Sequence, residues 1–125
     1  MKRGYKRKLR VVFVASGSLR RAQAAAEFAA ASGWMEARAH ALTAMMAASG
    51  QAAQEPAWVW ADLVVALDRG AYQALPPLPS VVQVKYYDFP EPADEAGWPP
   101  LRDALRRRVE GMAAGLAMMQ RAAQE

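Results

Sequence analysis

The sequence predicts an α/β fold, a four-stranded parallel sheet with helices on both faces. Two observations carry that reading. Continuous apolar, β-branched runs such as Leu9–Ala15 and Asp62–Leu67 fit strands buried on both faces. Between the strand-like segments lie alanine-rich, helix-forming stretches, and strands that alternate with helices imply crossover connections.

The first strand, Leu9–Ala15, stops at Ser16-Gly17-Ser18. Leu19–Ala31 follows as a helix, dense in the best helix former and ending near Ser32-Gly33. Glu36–Leu42 alternates Ala37, Ala39 and Ala41 with polar partners, the pattern of an edge strand. Met45–Ala53 reads as a short helix with Gly50 inside it. Asp62–Leu67 is the third strand, closed by Asp68-Arg69-Gly70, and Gly70–Leu75 offers at most two helical turns. Ser80–Tyr86 follows the breaker-rich Leu75-Pro76-Pro77-Leu78-Pro79 and reads as the fourth strand. Leu101–Ala122 is the clearest helix. It follows Pro99-Pro100 and spaces Leu101, Leu105, Val109, Met112, Leu116 and Met119 at three or four residues. Arg106, Arg107 and Arg108 mostly fall off that stripe and read as a solvated face.

With 125 residues, 54% of them hydrophobic and 22% charged, the chain suits one globular domain. We expect a basic tail over residues 1–8 and a single domain over 9–125. The net charge of +4 is concentrated at the start: Lys2, Arg3, Lys6, Arg7, Lys8 and Arg10 leave residues 11–125 at −2. Such a tail suits a solvated leader better than a nucleic-acid contact, although Tyr5 within it keeps stacking on nucleic acid open. The apolar run after the tail falls short of the core of a secretory signal, about 7–15 residues long, and Arg20 and Arg21 stand where cleavage would occur. No stretch approaches the roughly 18 apolar residues of a membrane span. The expected location is cytoplasmic, without membrane attachment.

The absence of cysteine excludes disulfides, thiolate nucleophiles and Cys-ligated zinc. His40 is the lone histidine, which excludes a His-rich metal site, and it reads as structural or surface-exposed. Trp58, Trp60 and Trp98 read as aromatic cover for a small alanine-rich core in preference to walls of a ligand crevice. Met45, Met46, Met112, Met118 and Met119 read as adaptable filler of core or interface, and the Met/Ala surface of the last helix leaves a homodimer open.

In parallel α/β sheets the ligand crevice lies beyond the carboxyl ends of the strands. That rule points to the loops Ala15–Arg21, Thr43–Met46 and Asp88–Trp98. In the first, small residues let backbone N–H groups converge, and the following helix adds its unpaired amides and positive dipole end. Arg20 or Arg21 then offers a planar fork of donors to phosphate or sulfate oxygens. The expected anion-binding set is Ser16, Gly17, Ser18, Leu19, Arg20 and Arg21.

Val11-Val12-Phe13-Val14-Ala15-Ser16-Gly17-Ser18-Leu19-Arg20-Arg21 resembles the low-molecular-weight protein tyrosine phosphatases and the related arsenate reductases. Their first strand ends in a loop written V-x-F-V-C-x-G-N-x-C-R-S. Trp60-Ala61-Asp62-Leu63-Val64-Val65-Ala66-Leu67-Asp68-Arg69 is similar to that family's ADLIxxMD strand, with Leu67 in the methionine position. Tyr87-Asp88-Phe89-Pro90-Glu91-Pro92 stands where the family has its Asp-Pro acid loop, and a long final helix follows. The resemblance spans most of the chain, which is shorter than typical members, mainly between the second and third strands. It implies the family's three-layer α/β/α fold, and Arg21 as the arginine that grips phosphate.

The departures fall on the chemistry. Ala15 holds the nucleophilic cysteine position, and Ala22 the position of the hydroxyl that assists the thiolate. Ser18 replaces the loop asparagine, and Glu91 the general-acid aspartate. Losing a nucleophile that works in concert with its partners costs on the order of 10⁶ in rate. Neither Ser16 nor Ser18 has a histidine or lysine placed to activate it. The resemblance therefore implies a phosphatase-like pseudoenzyme that needs no cofactor and binds phosphate, sulfate or a phosphorylated ligand without turning it over. On that reading Glu91 repels a dianion unless it is protonated or turned away. The alternatives are a degenerate domain acting through protein partners, an adaptor using its basic tail, and an enzyme of different chemistry using Asp88, Glu91 or Asp94 with a metal such as magnesium.

Overall fold

The computed structural model describes residues 8–50 and 56–124. Four strands, β1 (Leu9–Ala15), β2 (Met35–Ala41), β3 (Leu63–Ala66) and β4 (Gln83–Tyr86), lie in the order β2-β1-β3-β4. Every pairing is parallel, so the expected sheet is present. The helices are α1 (Arg20–Ala31), α2 (Ala44–Ala48), α3 (Ala57–Trp60), α4 (Arg69–Ala74) and α5 (Trp98–Gln124).

Period-two alternation divides the core between two layers. Val11, Phe13 and Ala15 of β1 join Leu63 and Val65 of β3 under α1 and α5, where Ala22, Ala25, Ala29, Leu105 and Val109 meet them. Val12, Val14, Val64 and Ala66 face the other way, onto Trp58 of α3 and Ala71 and Ala74 of α4. Both inner strands are thus covered on both sides, which is why Val11–Ala15 of β1 and Leu63–Ala66 of β3 are apolar at every position. The result is a three-layer α/β/α arrangement. Ala22, Ala25 and Ala29 present only methyl groups on the buried face of α1, so the helix axis can lie close to the sheet.

Several boundaries differ from expectation. β4 begins at Gln83 because residues before it form a turn, closed by the Val82 N–H donating to Pro79 O at 3.0 Å. Its four residues are all exposed, making it the second edge of the sheet opposite β2. The last helix starts at Trp98, ahead of the two prolines. First-turn residues have no use for an amide hydrogen, so Pro99 and Pro100 fit there. A 3₁₀ turn, Glu95–Gly97, leads into it, and the Asp94 carboxylate caps that turn by accepting from Gly97 N–H at 3.1 Å. The second expected helix is shorter, Ala44–Ala48, and residues 51–53 of that expectation lie outside the described residues, as does the tail over residues 1–7. No helix among the described residues is long and apolar enough to cross a membrane.

β1 leads to β2 on one side, and the chain then crosses to β3 on the other. The switch point therefore lies between β1 and β3, with the loops after Ala15 and Ala66 flanking it.

Candidate functional site

At the carboxyl end of β1 the neighbouring chains are pinned tightly. Leu42 N–H donates to Ala15 O and Leu67 N–H to Val14 O, each at 2.9 Å. The backbone then turns through Gly17 at φ 70°, a left-handed conformation that a side chain disfavours by roughly 1 kcal/mol or more. A Cβ on Gly17 would meet nothing within 4 Å, so the glycine answers to backbone geometry alone. Gly70 is different: a Cβ there would fall 3.0 Å from Ser16 Oγ, so the start of α4 approaches the turn closely because residue 70 has no side chain.

Asp68 joins the two loops. One carboxylate oxygen accepts the Ser16 N–H at 2.9 Å, and the other accepts the Ala71 N–H at 2.7 Å, capping α4. Burial works to raise the Asp68 pKa. The N–H groups of Ala71 and Ser16, the Ser16 hydroxyl and the Arg21 charge outweigh it and hold the carboxyl below its ordinary range.

Arg21, in the first turn of α1, is 1% exposed. Its Nη1 lies 2.8 Å from Asp68 Oδ2 and donates to Phe89 O at 2.7 Å, while Nη2 donates to Ser16 O at 2.6 Å. Glu91 Oε1 lies 2.9 Å from Nε, an ionic contact. Its direction is poor for hydrogen bonding, and the buried Nε–H has no aligned acceptor. The Glu91 side chain is 45% exposed, so the two partners of this contact differ sharply in their access to water.

Arg20 takes another path. Its guanidinium makes a two-pronged contact with Glu95, at 2.7 and 3.1 Å, and lies 4.0 Å above the Trp98 ring. The hydrogen bond from Arg20 lowers the Glu95 pKa. The adjacent arginines thus strap the loop between β4 and α5 onto the start of α1 from two directions.

A hollow of about 420 Å³ opens beside this network. Ser16, Gly17, Ser18 and Arg21 line it, as expected. Leu19 and Arg20 do not: Leu19 packs against the α1 side of the core, and Arg20 is drawn to Glu95 and Trp98. Glu91 and Asp88, from the expected loop Asp88–Trp98, are at the hollow, together with Asp68, Arg69 and Gly70, which sequence reasoning did not assign to it. Ala15 and Ala22 are fully buried. The amides of Gly17, Ser18 and Leu19 donate to no acceptor among the described residues, and the Leu19 cap of α1 makes no side-chain hydrogen bond. Arg20 N–H is held by Ser18 Oγ at 3.1 Å.

No protein-family model and no curated protein matches the chain. The chemistry must therefore be read from the residues themselves. Three carboxylates, Asp68, Asp88 and Glu91, share the hollow with two guanidinium groups, Arg21 and Arg69. The acidic trio proposed for a metal does not converge. Asp88 meets the Tyr86 hydroxyl at 3.3 Å, Glu91 goes to Arg21, and Asp94 caps its own turn. Among the described residues no group of three acidic, histidine or cysteine side chains is placed to hold a metal ion. Of the remaining loops, Thr43–Met46 caps α2, with Thr43 Oγ1 accepting from Met46 N–H at 3.2 Å, and contributes nothing to the hollow.

The aromatic residues are mostly spoken for. Trp58 is core, with the His40 ring 6.3 Å away, centroid to centroid. Arg38 lies 4.0 Å over the Trp60 ring.

Proposed function

We propose that this chain is a low-molecular-weight-phosphatase-like domain that binds a tetrahedral oxyanion, phosphate, sulfate or a phosphoryl group on a larger ligand, without cleaving it. One observation carries the reading. Three consecutive amides, those of Gly17, Ser18 and Leu19, donate to no acceptor among the described residues at the start of a helix, next to a buried arginine whose Nε–H has no aligned acceptor among them. Such a cluster of donors at a helix N-terminus favours negative charge.

Glu91 currently stands against Arg21 as an internal anion. It is the half-exposed member of the pair, so an incoming oxyanion takes its place by swinging the carboxylate outward while Asp68 keeps Arg21 in position. Nothing at the hollow supplies the missing chemistry. Ala15 and Ala22 present methyl groups where a nucleophile and its assisting hydroxyl would be required, and no histidine or lysine lines the hollow beside Ser16 and Ser18.

A second reading is favoured by the same arginine contacts. Arg20 and Arg21 are already neutralised by carboxylates of the chain, which suits a degenerate domain whose loop binds nothing and whose partners are proteins. Amide NMR spectra recorded during titration with sodium phosphate, against sodium chloride at matched ionic strength, separate the two. The first reading expects saturable shifts at Gly17, Ser18 and Leu19 at millimolar phosphate. No shift beyond the chloride control overturns it. The family register has its own test, the Ala15→Cys, Ala22→Ser double variant. It should show trace hydrolysis of an aryl phosphate where the wild-type chain shows none, and a folded but inert double variant counts against the register.

A further inference from the structure

The strand at one edge of the sheet has an open backbone. Gln83 N–H donates to Asp62 O at 3.1 Å and Tyr87 N–H to Ala66 O at 2.8 Å, so the odd-numbered residues of β4 face β3. By strand alternation the backbone groups of Val84 and Tyr86 face away from it, and they meet no acceptor or donor among the described residues. Such an edge is a template for another strand unless something blocks it.

The two sides of this edge differ. On the side of α5 lies a groove of about 940 Å³, bordered by Gln83 and Lys85 of β4, by Tyr87 just after it and by the Arg108, Gly111 and Gly115 face of α5. A Cβ at either Gly111 or Gly115 would meet nothing within 4 Å, so the helix wall is bare there. Arg108 lies 4.2 Å over the Tyr87 ring, and neither it nor Lys85 has a carboxylate within 4.0 Å among the described residues. On the opposite side, Val84 and Tyr86 are exposed and apolar, and the Tyr72 ring stands 5.5 Å from that of Tyr86.

We propose that β4 accepts an extended peptide as a fifth strand, with acidic side chains on the groove side and apolar side chains on the tyrosine side. The open amide and carbonyl groups of Val84 and Tyr86 supply the ladder. Alternation then sends every second side chain of the peptide toward Lys85 and Arg108, and the others onto Val84, Tyr86 and Tyr72. Charge selects this occupant. Lys85 on an edge strand opposes indiscriminate pairing, and a carboxylate opposite it turns that opposition into attraction. A second copy of the chain would bring Lys85 and Arg108 against the same residues of its partner. The basic segment preceding Lys8 carries the same sign as the rim. Neither is complementary.

The probe is a short, amidated, fluorescein-labelled peptide of alternating glutamate and valine, followed by fluorescence anisotropy on the full chain. A lysine–valine counterpart serves as the charge control. The glutamate peptide should bind and protect the Val84 and Tyr86 amides from hydrogen exchange. Lys85→Glu with Arg108→Glu should weaken it by about tenfold or more. Because charge reversal can also act through the fold, a second measurement leaves the protein untouched. The same peptide N-methylated at its ladder-forming amides should also bind about tenfold more weakly. The proposal is overturned by any of three results: no anisotropy change at millimolar protein, equal binding of the lysine peptide, or a wild-type dimer in sedimentation that Val84→Pro dissolves. The last would give the edge to a second copy.

Discussion

The hollow after β1 and the groove beside β4 sit toward opposite ends of the strands, and they treat positive charge in opposite ways. At the hollow, Arg21 is buried and enclosed by Asp68, Glu91 and two carbonyl oxygens, and neighbouring Arg20 is bound to Glu95. At the groove, Arg108 lies over the Tyr87 ring, and neither it nor Lys85 has a carboxylate within 4.0 Å among the described residues, although Asp62 lines the same groove. A cation already matched within its own chain supports structure first, and binds a ligand only by exchange. An unmatched cation is free to add a partner outright. The comparison teaches that the pairing of charges within the chain decides how readily a cation can take up a ligand.

The sharpest way to break the contrast is to remove the anchor at the hollow. Asp68→Ala leaves Arg21 with the half-exposed Glu91 as its one carboxylate partner among the described residues, opens the Ser16 amide and uncaps α4. It should cost about 3–5 kcal/mol in urea denaturation, the scale expected when one partner of a buried pair is lost. Lys85→Ala with Arg108→Ala should leave the urea midpoint nearly unchanged, as surface changes away from packed features do. Equal effects from the two would erase the distinction.

Acid should expose the same asymmetry. The folded-state pKa of Asp68 lies below its unfolded value, so its contribution is complete above the ordinary carboxylate range, about pH 4, and fades as pH falls through the depressed value. Thermal denaturation followed from pH 6 downward should therefore show a loss of stability that Asp68→Asn flattens. A variant with an unchanged acid limb would remove Asp68 from the account.

Glu91→Gln gives a smaller change in the opposite direction. Removing the internal anion while keeping its size should tighten phosphate binding by up to about tenfold, measured by calorimetry or amide shifts. Weaker binding would mean that the carboxylate organises the site instead of competing for it. Arg20→Ala should do least, since its contact with Glu95 is solvent-exposed. The denaturation midpoint should barely move, although the Trp98 fluorescence should change as the guanidinium leaves its ring.

The inner strands were legible because β1 and β3 are covered on both faces, which forces every residue of Val11–Ala15 and Leu63–Ala66 to be apolar. The two sheet edges carry no such constraint. β4 therefore reads longer in sequence than it is, and α3, four residues following Pro56, is too short for periodicity to register. At the hollow, the glycine and the small residues of the turn were legible, since they answer to local backbone geometry. The role of Asp68 was not. It lies 52 positions from Ser16, and only the fold brings its carboxylate to that amide. Nor does a sequence say which arginine of an adjacent pair turns inward: Arg21 follows the buried face of α1 beside Ala22 and Ala25, whereas Arg20 falls on the exposed side and finds Glu95.

The most direct trial of the cradle is a crystal structure of the wild-type chain grown from ammonium sulfate. The account predicts a sulfate on the amides of Gly17, Ser18 and Leu19 and on Arg21 Nε, with Glu91 rotated out to solvent and Asp68 still on Arg21. A turn without anion, its amides closed on protein acceptors and Glu91 still against Arg21, would contradict it.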